Sequence, residues 1–182
     1  ILGIEKASIV GVSQGGMIAQ HLEINYPEKI NKLVLAITSS KPNGVLIDSL
    51  DTWIKLCKED KFREMMIDSA RRSYTPDYFK KMVKLYKIGS KIIKPKSYDR
   101  YIIQCESCLS HDAYSILEEI VCPTFVVGAS DDNVLGVIGS KEIHEKIKGS
   151  ELYIFDGYSH GVYEEAKKEA REYEMNAKRK VS

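Results

Sequence analysis

Apolar residues along this chain fall into short unbroken runs separated by longer stretches where they recur every three or four positions. The runs lie in Ser8–Val12, Leu33–Ile37, Pro123–Gly128 and Glu151–Phe155. Runs this short and this apolar, bounded by turn residues, read as strands, with Leu33–Ile37 the pattern of one buried on both faces of a parallel sheet and Pro123–Gly128 a buried strand. The periodic stretches predict helices. Gly16–Tyr26 carries Ile18, Leu22 and Tyr26 at helical spacing and stops before Pro27. Val137–Ile147 places Ile138, Ile143 and Ile147 inward, and Val162–Lys180 carries a thin stripe of Tyr163, Ala166, Ala170, Tyr173 and Ala177. Ile1–Lys6 reads as the tail of a further helix. Strands alternating with helices predict an α/β fold with a mostly parallel sheet.

Between Val45 and Glu118 the strand-like runs disappear and helix starts multiply. Asp60 is placed to cap a helix carrying Phe62, Met65, Met66 and Ala70. Thr75-Pro76-Asp77 reads as an N-cap followed by proline at the first helical position. Ser97 and Ser110 are placed to cap segments over Tyr101–Cys108 and Ala113–Leu117. The organisation expected is a core formed by residues 1–44 and 119–182, with residues 45–118 inserted as a set of short amphipathic helices.

The chemistry concentrates where the first strand ends. Gly11-Val12-Ser13-Gln14-Gly15 is a Gly-x-Ser-x-Gly turn with a strand before it and a helix after it. A serine at the top of such a turn is held in strained backbone with its hydroxyl lifted off the sheet. The flanking glycines let neighbouring backbone approach without a Cβ clash. The helix that follows points free N–H groups and the positive end of its dipole at any oxyanion that develops there.

A serine hydroxyl is a poor nucleophile until a base takes its proton, and imidazole suits that role near neutral pH. Gly157-Tyr158-Ser159-His160-Gly161 follows the last strand, so His160 is the base expected. His21 lies two turns along the helix after the turn, His144 lies on a surface-like helix, and His111 sits beside Asp112 in a capped surface turn. A carboxylate on the far ring nitrogen would fix the tautomer of His160. Asp131 and Asp132 both follow the third strand, and adjacent residues leaving a strand point in different directions, so one of them faces the imidazole.

Composition narrows the setting. With 43% hydrophobic and 29% charged residues over 182 positions, the chain is a globular one with a real core. The net charge of +1 gives no footprint for nucleic acid or an anionic membrane, and no apolar run is long enough to span a bilayer. Cys57, Cys105, Cys108 and Cys122 are irregularly spaced. Cys105 and Cys108 form a lone C-x-x-C without the second ligand pair a zinc site needs, so packed free thiols in a reducing, cytoplasmic setting are expected. No metal or organic cofactor is expected, and the oligomeric state is left open.

The segments Ile9-Val10-Gly11-Val12-Ser13-Gln14-Gly15-Gly16-Met17-Ile18-Ala19-Gln20, Tyr26-Pro27-Glu28-Lys29-Ile30, Lys32-Leu33-Val34-Leu35, Pro123-Thr124 to Asp131 and Gly157-Tyr158-Ser159-His160-Gly161 together resemble the α/β-hydrolase fold superfamily, and within it the carboxylesterases and 3-oxoadipate enol-lactonase-like proteins. The resemblance implies an α/β-hydrolase fold whose helical cap is the 45–118 insertion. It implies a serine hydrolase of a carboxylic ester, lactone or related acyl compound, with Ser13 as nucleophile, His160 as base and the Gln14 backbone N–H in the oxyanion hole. In this family the acid is the third residue after the strand-end glycine, which from Gly128 is Asp131. The same scaffold also serves as a small-molecule receptor or signalling partner with slow turnover, the alternative expectation here. Family members begin with further strands and a loop, often His-Gly, that supplies the second oxyanion donor. This chain starts just before the elbow strand, so the expectation is that it forms the carboxy-terminal part of a longer protein.

Overall fold

The computed structural model describes residues 3–166. Four parallel strands, β1 (Ala7–Val12), β2 (Ile30–Ala36), β3 (Thr124–Ala129) and β4 (Glu151–Phe155), lie side by side in chain order. Val10 pairs with Val34, Leu35 with Val126 and Val127 with Tyr153. Helix α1 (Gln14–Asn25) connects β1 to β2, α6 (Val137–Lys146) connects β3 to β4, and α7 begins at Val162. Leu33, Leu35 and Val126 pack with Ala19, Leu117, Ile143 and Ile147 in one core, while Ile37, Ala129 and Val162 form another. The two inner strands, β2 and β3, bury Leu33, Leu35 and Val126 beneath these helices, whereas β1 and β4 at the edges are more open.

Between β2 and β3 stand four helices: α2 (Gly44–Lys58), α3 (Phe62–Ser73), α4 (Pro76–Ile92) and α5 (Asp99–Leu109). Asn43 caps α2, its side chain accepting from the Val45 and Leu46 amides, and Thr75 caps α4 with Pro76 at the first turn. Leu46, Leu50, Trp53, Ile54, Phe62, Met65 and Cys105 form the core of this insertion. Met17 of α1 and Val134 and Leu135 beyond β3 complete it, so the insertion is packed onto the sheet's carboxyl end.

Several sequence expectations are corrected. Residues 3–6 carry no helix, and Ala170, Tyr173 and Ala177 lie outside the described residues. On α1, Ile18 and Tyr26 are exposed, and the inward side is Met17, Ala19, Gln20 and Glu23. Loop backbone decides that face. The Gln20 amide donates to the Ser39 carbonyl, and Glu23 accepts from the amides of Val121 and Cys122. On α6, Ile143 and Ile147 are buried but Ile138 is exposed. Asp60 does not cap α3. It sits at φ 57° and holds Lys94 and Tyr98 instead. Ser97 does accept from the Asp99 amide at the start of α5. The turn after α5 is a 3-10 helix, Tyr114–Glu119, entered through Ala113 without a side-chain cap, and it is Asp112, not Ser110, that accepts from the Tyr114 amide. The four cysteines are free thiols, and burial pushes Cys105 up to about 11.

Among the described residues β1 pairs on one side only, and Val10 is 68% exposed. An open strand edge with an apolar face is a template for association. These 182 residues, expressed alone, are expected to bind a hydrophobic dye and to elute as associated species. Val10→Lys is expected to reduce both. A monomeric elution without dye binding before the substitution would refute this.

Candidate active site

The turn between β1 and α1 has the geometry its sequence demands. Ser13 sits at φ 53°, ψ −122°, a conformation that L-residues with a Cβ rarely adopt. Its backbone is tied down from three sides. The Ser13 amide donates to Ala36, and the Thr38 hydroxyl donates to the Ser13 carbonyl at 2.7 Å. That carbonyl also takes the amides of Gly16 and Met17. A Cβ on Gly11 would meet the Gly15 carbonyl oxygen at 2.6 Å, and one on Gly16 would meet Thr38 at 2.6 Å. The close approaches thus fall at Gly11 and Gly16, while a side chain at Gly15 would meet nothing within 4 Å. The amides of Gln14 and Gly15 open α1, where a helix offers no internal acceptor. The Gln14 side chain reaches into the insertion and donates to the Gln104 carbonyl.

His160 comes to this serine from the loop after β4. Its Nε2 lies 3.0 Å from Ser13 Oγ. Its Nδ1 lies 2.9 Å from Asp132 Oδ2, so the carboxylate on the imidazole is Asp132 and not Asp131. The reason is one residue of strand. β3 runs through Ala129, past Gly128, and moves the loop's acid by one position. Asp131 is exposed, with its carboxylate beside the Ser130 hydroxyl. Asp132 is buried, and its second oxygen accepts from the amides of Val134 and Leu135 at 2.8 and 2.9 Å.

Burial opposes a charge on Asp132. The hydrogen bond and charge of His160 and the two loop amides outweigh it and hold the carboxyl below its ordinary range. An ionised carboxylate only accepts, so the proton sits on Nδ1 and Nε2 is left to accept from Ser13. A hydroxyl, an imidazole and a buried carboxylate in this order can move a proton from the serine and stabilise the imidazolium that results. Among the described residues no three His, Cys, Asp or Glu side chains gather to hold a metal ion, and no helix is long and apolar enough to cross a membrane.

His111 is not on a surface turn. It is 8% exposed, edge-on to His21 with ring centroids 5.1 Å apart, and its Nε2 is buried without a partner. The two rings border a cleft of about 600 Å³ lined also by Gln14, Met17 and Cys108. Burial, then the neighbouring His21, lower His111 from 6.5 to about 4, against the opposing pull of Asp112 and the Ser39 backbone. Between these values the unfolded chain binds a proton that the folded one refuses, so stability falls as pH drops from 6.5 towards 4. The melting temperature of a His111→Leu variant is expected to fall less steeply than the wild type across that window. Parallel curves would remove His111 as the cause.

Comparison with known proteins places these observations. Residues 1–167 match the model of the alpha/beta hydrolase fold family. The chain is 26% identical over 158 residues to 3-oxoadipate enol-lactonase 2 of Acinetobacter baylyi, covering 85% of this chain and 57% of that one. Among solved structures, an alpha/beta hydrolase from a Medee basin deep-sea metagenome library superposes with a TM-score of 0.84 at 26% identity, over 92% of this chain and 62% of the other. The enol-lactonase of Burkholderia xenovorans LB400 superposes with a TM-score of 0.81 at 17% identity, over 96% of this chain and 66% of the other, a likeness of fold. The chain thus spans about three fifths of the length of such relatives. With its parallel sheet and its strand–turn–helix at Ser13, the chain belongs to the alpha/beta hydrolase fold family.

Proposed function

We propose that this chain carries the nucleophile, base and acid of a serine hydrolase acting on a small carboxylic ester, lactone or related acyl compound. The observation that carries the reading is the hydrogen-bonded line from Ser13 Oγ through His160 to the buried Asp132. Ser13 Oγ bonds to the acyl carbon as its proton passes to His160 Nε2, and the carbonyl electron pair moves onto oxygen. The Gln14 amide, at the positive end of α1, stabilises that oxyanion. Collapse of the intermediate breaks the bond to the leaving alcohol, which takes the proton from His160. Water repeats the sequence and releases the acid. Asp132 stays ionised and stabilises the imidazolium. The insertion, residues 45–118, serves as a cap over the acyl site. The lactonase name of the Acinetobacter baylyi relative supports the choice of substrate class.

The test uses the protein expressed from its full reading frame. A fluorophosphonate probe is expected to label Ser13, as located by peptide mapping, and short-chain p-nitrophenyl esters are expected to turn over. Labelling at another residue, or turnover that survives complete labelling, would sink the reading.

A further inference from the structure

The loops that bring Asp132 and His160 together bond each other directly, the Asp131 amide donating to the Tyr158 carbonyl at 2.9 Å and the Gly157 amide to Ser130 Oγ at 2.8 Å, and they are tied a second time through the helical insertion. Asn133, next to the acid, and Ser159, next to the base, belong to a closed ring of hydrogen bonds that passes through the helical insertion. The Asn133 amide donates to Ser159 Oγ at 3.5 Å, and Ser159 Oγ donates to the Arg72 carbonyl at 2.6 Å. The Arg72 guanidinium donates to Ser49 Oγ at 3.1 Å, and Ser49 Oγ donates to the Asn133 carbonyl at 3.1 Å. Each serine hydroxyl thereby gives one bond and receives one, and both serines are buried, 2% exposed at Ser159 and 0% at Ser49. Arg72 cannot swing out of the ring freely. Its Nε is bound by Asp68 at 2.7 Å and its Nη1 by Asp48 at 2.7 Å, and Asp68 is itself held by the Trp53 indole.

A second contact acts on the same loop. The Gly161 amide donates to the Ser73 carbonyl at 2.5 Å, and a Cβ at Gly161 would collide with the Tyr74 ring. The end of α3 therefore touches both neighbours of His160, Ser159 through its hydroxyl and Gly161 through its backbone. A reacting group displaced by about 1 Å can cost on the order of 10²-fold in rate, so what fixes these loops matters to the chemistry.

We propose that Ser49, Arg72 and Ser159 are positioning residues: through the ring they form with Asn133, the helical insertion sets the alignment of His160 with Asp132. The inference rests on the serine-hydrolase reading for its kinetic consequence. Its geometric half stands apart from that reading and has its own readout.

Ser159→Ala and Ser49→Ala each remove one hydroxyl from the ring and no bulk from the core. In the protein expressed from its full reading frame, kcat on p-nitrophenyl acetate, counted per fluorophosphonate-titrated site, is expected to fall about tenfold or more in each variant, with KM little changed. Because both changes open one ring, the double variant is expected to lose little more than the worse single one. Phe62→Leu, in the insertion's core but outside the ring, is the control for lost stability alone. It is expected to lower the melting temperature and leave kcat in place. The low-field proton resonance of His160 Nδ1–H reads the pairing with Asp132 directly, and it is expected to weaken in both serine variants and persist in the control. Serine variants that keep kcat and this resonance, or that match the control at equal loss of melting temperature, would overturn the proposal. A wild type that shows the resonance but is never labelled at Ser13 would sink the hydrolase reading. The resonance in the variants would still decide the ring.

Discussion

Ser13→Ala is expected to abolish ester hydrolysis and leave the fold intact. Loss of the nucleophile from a hydrogen-bonded triad costs on the order of 10⁶ in kcat, because base and acid are then left with nothing to activate. What survives is the smaller acceleration from binding and from the helix-start amides. The fold should tolerate the change because the features holding this turn are backbone ones. The Ser13 amide bonds to Ala36, its carbonyl receives Thr38, Gly16 and Met17, and among the described residues Oγ hydrogen-bonds His160 alone. Alanine carries the same Cβ into the same φ of 53°, so the conformational cost is already present in the wild type. The checks are turnover of p-nitrophenyl acetate, fluorophosphonate labelling and a thermal melt. A variant that keeps more than a trace of activity with an unchanged melt would show that another residue attacks.

The second large effect separates two neighbouring acids. Asp132→Asn is expected to cost about 10⁴ in turnover, the scale set by loss of the correct imidazole tautomer. The surroundings dictate how the amide would sit. The Val134 and Leu135 amides need an acceptor and already bond Oδ1, so the asparagine oxygen stays with them and its NH₂ turns to His160. A donor there makes Nδ1 the acceptor and moves the ring proton to Nε2, facing Ser13 Oγ. The serine then has no base, although every heavy atom keeps its place. Asp131→Asn, on an exposed carboxylate, is expected to change turnover by no more than a few-fold. The opposite ranking, measured as kcat/KM on the same ester, would return the acid's role to Asp131.

What could be read from residue order alone depended on how local its cause was. Ser13 was legible because strand, turn and helix are contiguous, and the strained φ follows from that succession. His160 was legible because a strand precedes it and the turn residues around it are distinctive. The carboxylate beside His160 stands one position beyond the expected Asp131, because pairing of Ala129 with Phe155 carries β3 one residue past Gly128. The inward face of α1 was hidden for a different reason. Gln20 and Glu23 are buried to satisfy carbonyls and amides of distant loops, and hydropathy counts them as surface. The ring through Ser49, Arg72, Asn133 and Ser159 has no local signature, since its members become neighbours only once four segments, α2, α3 and the loops after β3 and β4, have packed.

The chain order of the sheet governs how the protein comes off the ribosome. β1 and β2 are joined through α1 and a single 3-10 turn, Pro27–Lys29, and can pair as soon as both have emerged. The other edge of β2 must wait for β3, and the whole of α2 to α5 is synthesised between Ala36 and Thr124. At about 5–20 residues per second that wait is on the order of ten seconds. Throughout it the apolar segment Leu33–Ala36 has one side of its backbone unpaired. Closing so long a loop costs little more entropy than closing a shorter one, so the finished fold bears almost no penalty for the interruption. The burden is temporal. The pace of translation sets how long the nascent chain is open to the wrong neighbour.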